Sequence, residues 1–276
     1  MNAWRRLDLV KIKRTSVFRK LSMAVWQSPN DPTVYSLLEI DLKKTLELLP
    51  EYEKKYGVNI TPTHLVAKAC AHAISCHPQI NSIVRFGRLY QRPTIDLFFQ
   101  VHQEETHELT GVTIRNIDQL SLVDLTKALK QKSQRVRNHQ DKHINASYGL
   151  FKIIPWRLLG PILNFFTFLH MDLNLNLSFL GFAREPFGSM MITSVGKWDI
   201  DLAFAPIVPF SRVPALMTVG RVKDKPWVDH GELVIRPILP IGFTFDHRVI
   251  DGGHGAQLSS KFRECFQFPE KFFFND

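Results

Sequence analysis

Near the C-terminus, the segment 245–253 (FDHRVIDGG) places His247 and Asp251 four residues apart at the end of an apolar run. An imidazole titrates near physiological pH, so His247 can accept and return a proton during a reaction. A carboxylate at this spacing either forms an acid/base pair with the imidazole or holds the loop that carries it. The segment therefore predicts a site for proton transfer.

Two elements must position this segment. The apolar run 232–245 that precedes it predicts one or two β-strands. After Gly253, apolar residues return with helical spacing at Ala256, Phe262 and Phe266. The segment thus lies at a bend between a strand and a helix, where sites are commonly built.

The rest of the chain predicts further strands and helices. Strands are predicted at 33–40, on both sides of the turn 86–88, and at 95–101, 109–114, 187–194 and 213–222. Helices are predicted from Thr15 to Pro29, from a cap at Asp41 to Gly57 with a kink or an end at Pro50, from Thr61 to Pro78, and from Ser121 past Val136. The polar turn 102–108 has metal-ligand residue types, but a solvated hairpin loop is favoured because nothing fixes their geometry.

Composition and charge narrow the function classes. With 276 residues, 45% hydrophobic and 21 Phe, the chain can bury a large core, and we expect one domain over 1–276 with a basic arm at 1–14. The net charge of +9 indicates an anionic partner. This partner would be a nucleotide-bearing cofactor, an acidic carrier protein or a membrane surface. Nucleic acid is not expected, since zinc-finger and aromatic RNA-binding signatures are absent from the sequence.

The cysteines and the N-terminus indicate a cellular location. Cys70, Cys76 and Cys265 are an odd, scattered set, which favours core thiols over disulfides. The N-terminus lacks the apolar core of a signal peptide. We therefore expect a cytoplasmic protein, with a peripheral position on a membrane as the alternative.

The stretch 148–182 is unusually apolar. Lys152, Pro155, Arg157 and Pro161 interrupt the run of about 20 apolar residues that a transmembrane helix needs. A helical pair that lies on a core or an interface is predicted instead.

Several motifs in order resemble one family, the catalytic domain of the dihydrolipoamide acyltransferases of 2-oxoacid dehydrogenase complexes. The segment 245–252 is similar to the family's signature almost letter for letter, and 192–196 (ITSVG) is similar to its strand end that bears a Thr or Ser. The stretches 18–26, 109–114, 209–220 and 236–237 follow in the family's order. The stretch 148–182 is longer than the family's connection at that place.

The resemblance implies a fold class, a reaction and a set of site residues. The fold would be α/β (α+β), a two-layer sandwich like that of chloramphenicol acetyltransferase with a mixed sheet and flanking helices. His247 would deprotonate the acyl acceptor directly, without an acyl-enzyme, and Thr193 would donate a hydrogen bond to the oxyanion, with Ser194 as the alternative. Asp251 would hold the loop through an ion pair rather than touch the substrate. Gly252 would allow a tight turn, and Arg248 would be a local ion-pair residue.

The family's active sites lie between subunits of a trimer. By resemblance, we expect a homotrimer or a multiple of it, with His247 and Thr193 of one site on different chains. Coenzyme A or acyl-coenzyme A would be the co-substrate beside a small-molecule acyl acceptor, with no bound metal and no covalent lipoyl group on this chain.

Three functions follow from these observations. The first is a coenzyme A-dependent acyltransferase that uses a thiol, hydroxyl or amine acceptor. The second is a non-catalytic assembly core with the same fold. The third is a membrane-associated acyltransferase in which the stretch 148–182 faces a lipid-like acyl chain.

Overall fold

The computed structural model describes residues 31–102, 109–138, 155–177 and 185–275. Contacts between Cα atoms divide the chain into residues 1–32 and a second compact unit, Thr33–Asp276, to which the elements below belong. The basic arm 1–14, the helix predicted at 15–29, the turn 103–108 and both ends of the stretch 148–182 lie outside the described residues.

The described residues form nine β-strands. They are β1 Thr33–Asp41, β2 Ser82–Arg85, β3 Arg88–Gln91, β4 Leu97–His102, β5 Leu109–Ile114, β6 Met190–Ser194, β7 Ala215–Val219, β8 Lys223–Asp229 and β9 Glu232–Asp246. The strands predicted from the sequence are confirmed within a few residues, and the run 232–245 forms a single strand.

Six α-helices are found in the same ranges. They are α1 Lys43–Tyr56, α2 Pro62–Cys76, α3 Leu122–Arg137, α4 Trp156–Thr167, α5 Gly252–Gln267 and the short α6 Pro269–Phe272. Thr61 and Pro62 open α2 as predicted. Ser121 caps α3 by accepting a hydrogen bond from the backbone N–H of Asp124 at 3.0 Å.

The first helix corrects two expectations. Pro50 does not end α1, which continues to Tyr56 and stops at Gly57 with a φ of 64°. Beyond the proline, the buried ring of Tyr52 packs against Phe274 with centroids 4.9 Å apart, and this packing outweighs the hydrogen bond that Pro50 cannot make. The N-cap is Leu42 rather than Asp41, whose carboxylate instead accepts from the backbone N–H of Lys43 at 2.8 Å.

Seven strands form one mixed sheet. Its order is β1–β9–β7–β6–β4–β5, with β8 paired to the first part of β9. Strand β6 runs parallel to β4 and β7, whereas the other neighbours are antiparallel. The carboxyl ends of β4, β6 and β7 therefore meet at one edge of the sheet. The predicted mixed sheet with flanking helices is confirmed.

The two faces of the sheet are covered differently. Residues such as Ile192, Met217 and Ile241 point into the main core, which includes buried residues of α1, α2, α3 and α5. Met191 and Leu216 point to the opposite face, where they pack against Ala205 and Ile207 of an irregular segment, 199–212.

Glycine lets this segment lie directly on the strands. A Cβ at Gly242 would clash with the carbonyl oxygen of Ala203 and the hydroxyl of Thr218, which donates a hydrogen bond to that carbonyl. A Cβ at Gly220 would likewise collide with the carbonyl oxygen of Asp201. At Thr218 and Gly220 this face is thus covered closely by the backbone of the segment, in addition to the side-chain packing of Ala205 and Ile207.

The start of α2 contains a buried histidine whose pKa is lowered by burial. His64 is 8% exposed, and its Nδ1 accepts a hydrogen bond from the backbone N–H of Thr61 at 2.9 Å. Burial lowers the pKa of His64 to about 4. Because the unfolded chain binds a proton near pH 6.5 and the folded chain does not, stability is lost as the pH falls from 6.5 towards 4.

Exchanging this histidine should therefore flatten the acid dependence of folding. In His64→Gln, the amide oxygen can still accept from the N-cap N–H without titrating. Urea unfolding at several pH values between 7 and 4 is expected to show that the wild type loses roughly 3 kcal/mol more than the variant over this window. A His230→Gln control, at a side chain 98% exposed, should follow the wild type. Equal slopes for His64→Gln and wild type would contradict the assignment.

Within the stretch 148–182, residues 156–172 are helical. Helix α4 passes through Pro161, and the chain then continues as a π-helical turn at Phe168–Asp172. Among the described residues, no helix combines the length and the apolar character needed to cross a bilayer.

The cysteines only partly match the expectation of core thiols. All three are free, and Cys70 and Cys265 are buried. Burial raises the pKa of the Cys265 thiol to about 12. Cys76, at the last turn of α2, is exposed, so the core assignment was wrong for this residue.

Candidate active site

His247 occupies the turn between β9 and α5. The strand ends where the backbone N–H of Asp246 donates to the carbonyl of Pro214 at 2.9 Å. The N–H groups of Val249 and Ile250 then donate back to the carbonyl of Asp246 at 2.9 and 3.0 Å, which closes the turn. The buried side chains of Val249 and Ile250 anchor it, and His247 is left exposed.

An ion pair within the turn fixes its shape. The guanidinium of Arg248 binds the carboxylate of Asp246 through Nε at 2.9 Å and Nη2 at 2.6 Å. The same carboxylate accepts from the Arg248 backbone N–H at 3.0 Å. The hydrogen bond to Asp246 raises the pKa of Arg248 above its ordinary value. Arg248 is placed to hold the backbone on which His247 stands.

Asp251 caps helix α5. Its Oδ1 accepts a hydrogen bond from the backbone N–H of His254 at 2.9 Å and lies 3.0 Å from Nδ1 of the same residue. The hydrogen bond from the His254 backbone is the main cause that lowers the pKa of Asp251. The carboxylate thus fixes the helix start that follows the turn, and the His254 ring completes the capping box by accepting from the Asp251 backbone N–H.

The expectation that Gly252 permits a tight turn is wrong. Gly252 is the first residue of α5, its φ is not positive, and a Cβ there would meet no atom within 4 Å. The reversal of the chain is made one turn earlier, by the hydrogen bonds to the carbonyl of Asp246.

Thr193 and Ser194 lie at the carboxyl end of β6. Thr193 is 6% exposed and pairs with Thr218 of β7. Because side chains alternate along a strand, Thr193 shares the face of Met191, whereas Ser194 points to the face of the main core. The hydroxyl of Thr193 makes no hydrogen bond to any residue in the described ranges. It is available as a donor, as is the hydroxyl of Ser194, and the two differ in the face of the sheet to which they point.

One chain does not bring His247 and Thr193 together. Thr193 is in register with Thr218, and Thr218 is in register with Gly242 of β9. The four residues from Gly242 to Asp246 span about 13 Å along β9, and two strand spacings add about 10 Å across the sheet. The two side chains therefore lie at opposite ends of β7, too far apart to contact the same reacting atoms.

A basic and aromatic cluster lies near Thr193 and was missed in the sequence. After β6, the ring of Trp198 meets His102 of β4 with centroids 5.3 Å apart, and Nζ of Lys197 lies 4.3 Å from the Trp198 ring centroid. Arg221, just after β7, forms an ion pair with Asp199. These residues follow parallel strands far apart in sequence, so their proximity becomes visible only when the strand order is known.

Comparisons with known proteins place this arrangement in a family. Residues 4–155 and 187–274 match the family model described as 2-oxoacid dehydrogenases acyltransferase (catalytic domain). The chain is 23% identical over 223 residues to the dihydrolipoyllysine-residue acetyltransferase component of the acetoin cleaving system of Bacillus subtilis (strain 168). The aligned region covers 81% of this chain and 45% of the relative. It is 26% identical over 239 residues to the dihydrolipoyllysine-residue succinyltransferase component of the 2-oxoglutarate dehydrogenase complex of Cupriavidus necator, with 84% and 47% covered.

A solved structure shares the fold. The dihydrolipoamide acetyltransferase of Azotobacter vinelandii is similar with a TM-score of 0.65 at 20% sequence identity, over 95% of this chain and 99% of that chain. The chain spans about half the length of the two curated relatives. Since the family model covers most of the sequence, the chain belongs to the catalytic-domain family of the 2-oxoacid dehydrogenase acyltransferases.

Proposed function

We propose that this protein is a coenzyme A-dependent acyltransferase that moves an acyl group between a thioester and a thiol, hydroxyl or amine. The observation that carries the proposal is the exposed imidazole of His247 on a turn held by other residues, within a chain of this family. No other side chain of the turn is left to bind a proton, because Asp246 and Arg248 pair with each other and Asp251 caps α5.

The proposed reaction is a direct transfer by general-base catalysis. His247 takes the proton of the acceptor as its sulfur, oxygen or nitrogen attacks the thioester carbonyl. The carbonyl oxygen becomes an oxyanion that receives a hydrogen bond from the hydroxyl of Thr193. When the intermediate collapses, the carbon–sulfur bond to coenzyme A breaks and the imidazolium returns its proton to the thiolate.

Asp251 supports the base without taking part in proton transfer. Its lowered pKa keeps the carboxylate charged at neutral pH, where it can accept but not donate hydrogen bonds. In the Azotobacter vinelandii enzyme, the residues investigated for a catalytic role are a serine, a histidine and an asparagine four positions after the histidine. By spacing, Asp251 corresponds to that asparagine.

The site is completed by a second chain. Because His247 and Thr193 of one chain lie at opposite ends of β7, we assign one of them to each of two neighbouring subunits in a homotrimer. A head-to-tail contact of this kind generates a closed ring and repeats the site at each interface.

The cluster of Lys197, Trp198 and Arg221 suits the phosphates and the adenine of coenzyme A. It lies at the carboxyl edge of β4, β6 and β7, near Thr193. A cation and an indole ring at this edge match an anionic, aromatic nucleotide. The net charge of +9 would draw such a ligand towards the surface.

A donor and acceptor screen tests the function. Release of the coenzyme A thiol is expected to depend on an added acceptor when acyl-coenzyme A donors of increasing length are combined with dihydrolipoamide, alcohols and amines.

Lys197→Ala should raise KM for the donor about five- to tenfold with kcat unchanged, because a charge-assisted contact is lost in the ground and transition states alike. Lys225→Ala is the matched control, since that lysine pairs with Glu39 on β1. A protein that binds coenzyme A but releases no thiol with any pair would instead be a non-catalytic assembly core.

A further inference from the structure

The outer face of helix α4 is apolar and exposed. Leu158, Phe165 and Phe168 are 53%, 59% and 42% exposed, and with Pro161 they recur at helical spacing. The inner face is also apolar, since Leu159, Ile162, Leu163 and Phe166 lie there, half-buried. A helix that is apolar all round normally has both faces covered. We therefore expect a partner to cover the outer face of α4.

The tip of the β2–β3 hairpin extends this surface. Phe86 and Leu89 are 63% and 54% exposed, and the ring of Phe86 meets that of Phe168 edge to face with centroids 6.3 Å apart. Exposed side chains from two elements thus form one apolar surface. This surface, called the α4–hairpin patch below, consists of Phe86, Leu89, Leu158, Phe165 and Phe168.

Hydrogen bonds and an ion pair hold the patch as a unit. Arg85 of the hairpin donates from Nε and Nη2 to the carbonyl oxygen of Asp172 at 3.1 and 2.7 Å. The carboxylate of Asp172 pairs with Arg212 at 3.0 Å, three residues before β7 begins. The patch is therefore fixed to the sheet near the strand end where the His247 turn starts.

The charged side chains on the hairpin and on the described residues 155–177 are mostly basic. Arg88 at the hairpin tip and Arg157 in the first turn of α4 are both exposed. The only acidic residue of the segments 82–91 and 155–177 is Asp172, which is half-buried and paired with Arg212. An apolar surface with a basic rim fits the interface of a bilayer that contains anionic lipids.

We propose that the α4–hairpin patch docks the protein on the surface of an anionic phospholipid bilayer. The helix is too short to cross a bilayer, so it would lie along the interface with its outer face among the acyl chains. Residues 156–186 fall between the two ranges that match the family model, so the part of the patch on α4 lies outside the family pattern, whereas the β2–β3 hairpin lies within it. The proposal does not depend on the reaction proposed above.

Vesicle co-sedimentation tests the docking without any substrate. The full chain is expected to sediment with vesicles of phosphatidylcholine and phosphatidylserine, and much less with phosphatidylcholine alone. The double variant Phe165→Ser, Phe168→Ser should bind at least about tenfold more weakly, because two aromatic side chains no longer enter the apolar layer. Both positions are exposed, so the fold should be unchanged. Val228→Ser, Leu233→Ser on β8 and β9 is the matched control, since these residues are 68% and 75% exposed but lie outside the patch.

The rim gives a second, electrostatic readout. Arg88→Gln is expected to weaken binding to the anionic vesicles about fivefold and to leave the weak binding to neutral vesicles unchanged. Light scattering of each variant reports the oligomeric mass. A wild type that stays in the supernatant, a serine variant that binds as tightly as the control, or a serine variant whose oligomeric mass falls would overturn the proposal. The last result would show that the patch contacts a second copy of the chain.

Discussion

Replacing His247 with alanine is expected to lower kcat for acyl transfer by about 10²–10⁴, the usual contribution of a positioned general base. The substitution removes the only group of the turn that can take the acceptor's proton. The fold should persist, because the side chain is exposed and the turn is held by the Asp246–Arg248 pair and by the buried Val249 and Ile250. Thiol release under saturating donor and acceptor measures the effect.

Two controls make this result interpretable. His230→Ala removes another exposed histidine from the β8–β9 turn and should leave kcat unchanged. Thermal unfolding of His247→Ala should match the wild type, which separates loss of chemistry from loss of structure. Undiminished turnover in His247→Ala would overturn the role of this residue and, with it, the proposed mechanism.

Mixing two inactive variants is expected to restore activity. Thr193→Ala should lower kcat by about 10²–10³, as the loss of one oxyanion donor does. In the proposed trimer the two residues of one site come from different chains, so a trimer that contains both variants would have some sites with His247 from one chain and Thr193 from the next. Random assembly of equal amounts gives about one quarter of all sites in this state.

The measurement is the activity of the two variants after joint unfolding and refolding. Each variant refolded alone should stay inactive, and so should the two mixed after separate refolding, provided that subunits do not exchange. Recovery of about a quarter of the wild-type rate supports the shared site. Joint refolding without any recovery would contradict it, because His247 and Thr193 would then have to act within one chain.

Local signals in the sequence predicted the elements well. The pair Thr61–Pro62 and the spacing of Ser121 and Asp124 mark the starts of α2 and α3, since capping depends on residues within one turn. At Pro50 the sequence allowed either a kink or an end of the helix, and the end was wrong, because the packing of Tyr52 continues the helix beyond the proline. Propensity is a weak prior that tertiary contacts override.

In the candidate site, too, features set by neighbouring residues could be predicted, and features set by tertiary contacts could not. The turn that carries His247 could be predicted because its residues are contiguous and lie between a strand and a helix. The side of the sheet to which Thr193 and Ser194 each point could not be predicted, because it depends on which residue of the strand begins the alternation of side chains. The meeting of His102 and Trp198 requires the parallel pairing of β4 and β6, which joins residues remote in the sequence. Strand order is a property of the whole sheet, and no short segment encodes it.

The separation of His247 and Thr193 along β7 has a consequence for when the protein becomes active after synthesis. In the proposed trimer, a newly synthesised chain would carry only one half of each catalytic pair within reach of any substrate. Such a chain would not consume acyl-coenzyme A until it had met its neighbours, so assembly itself would act as the activation step. At high dilution the specific activity should therefore fall with the concentration of the protein, in proportion to the fraction of chains left without a neighbour.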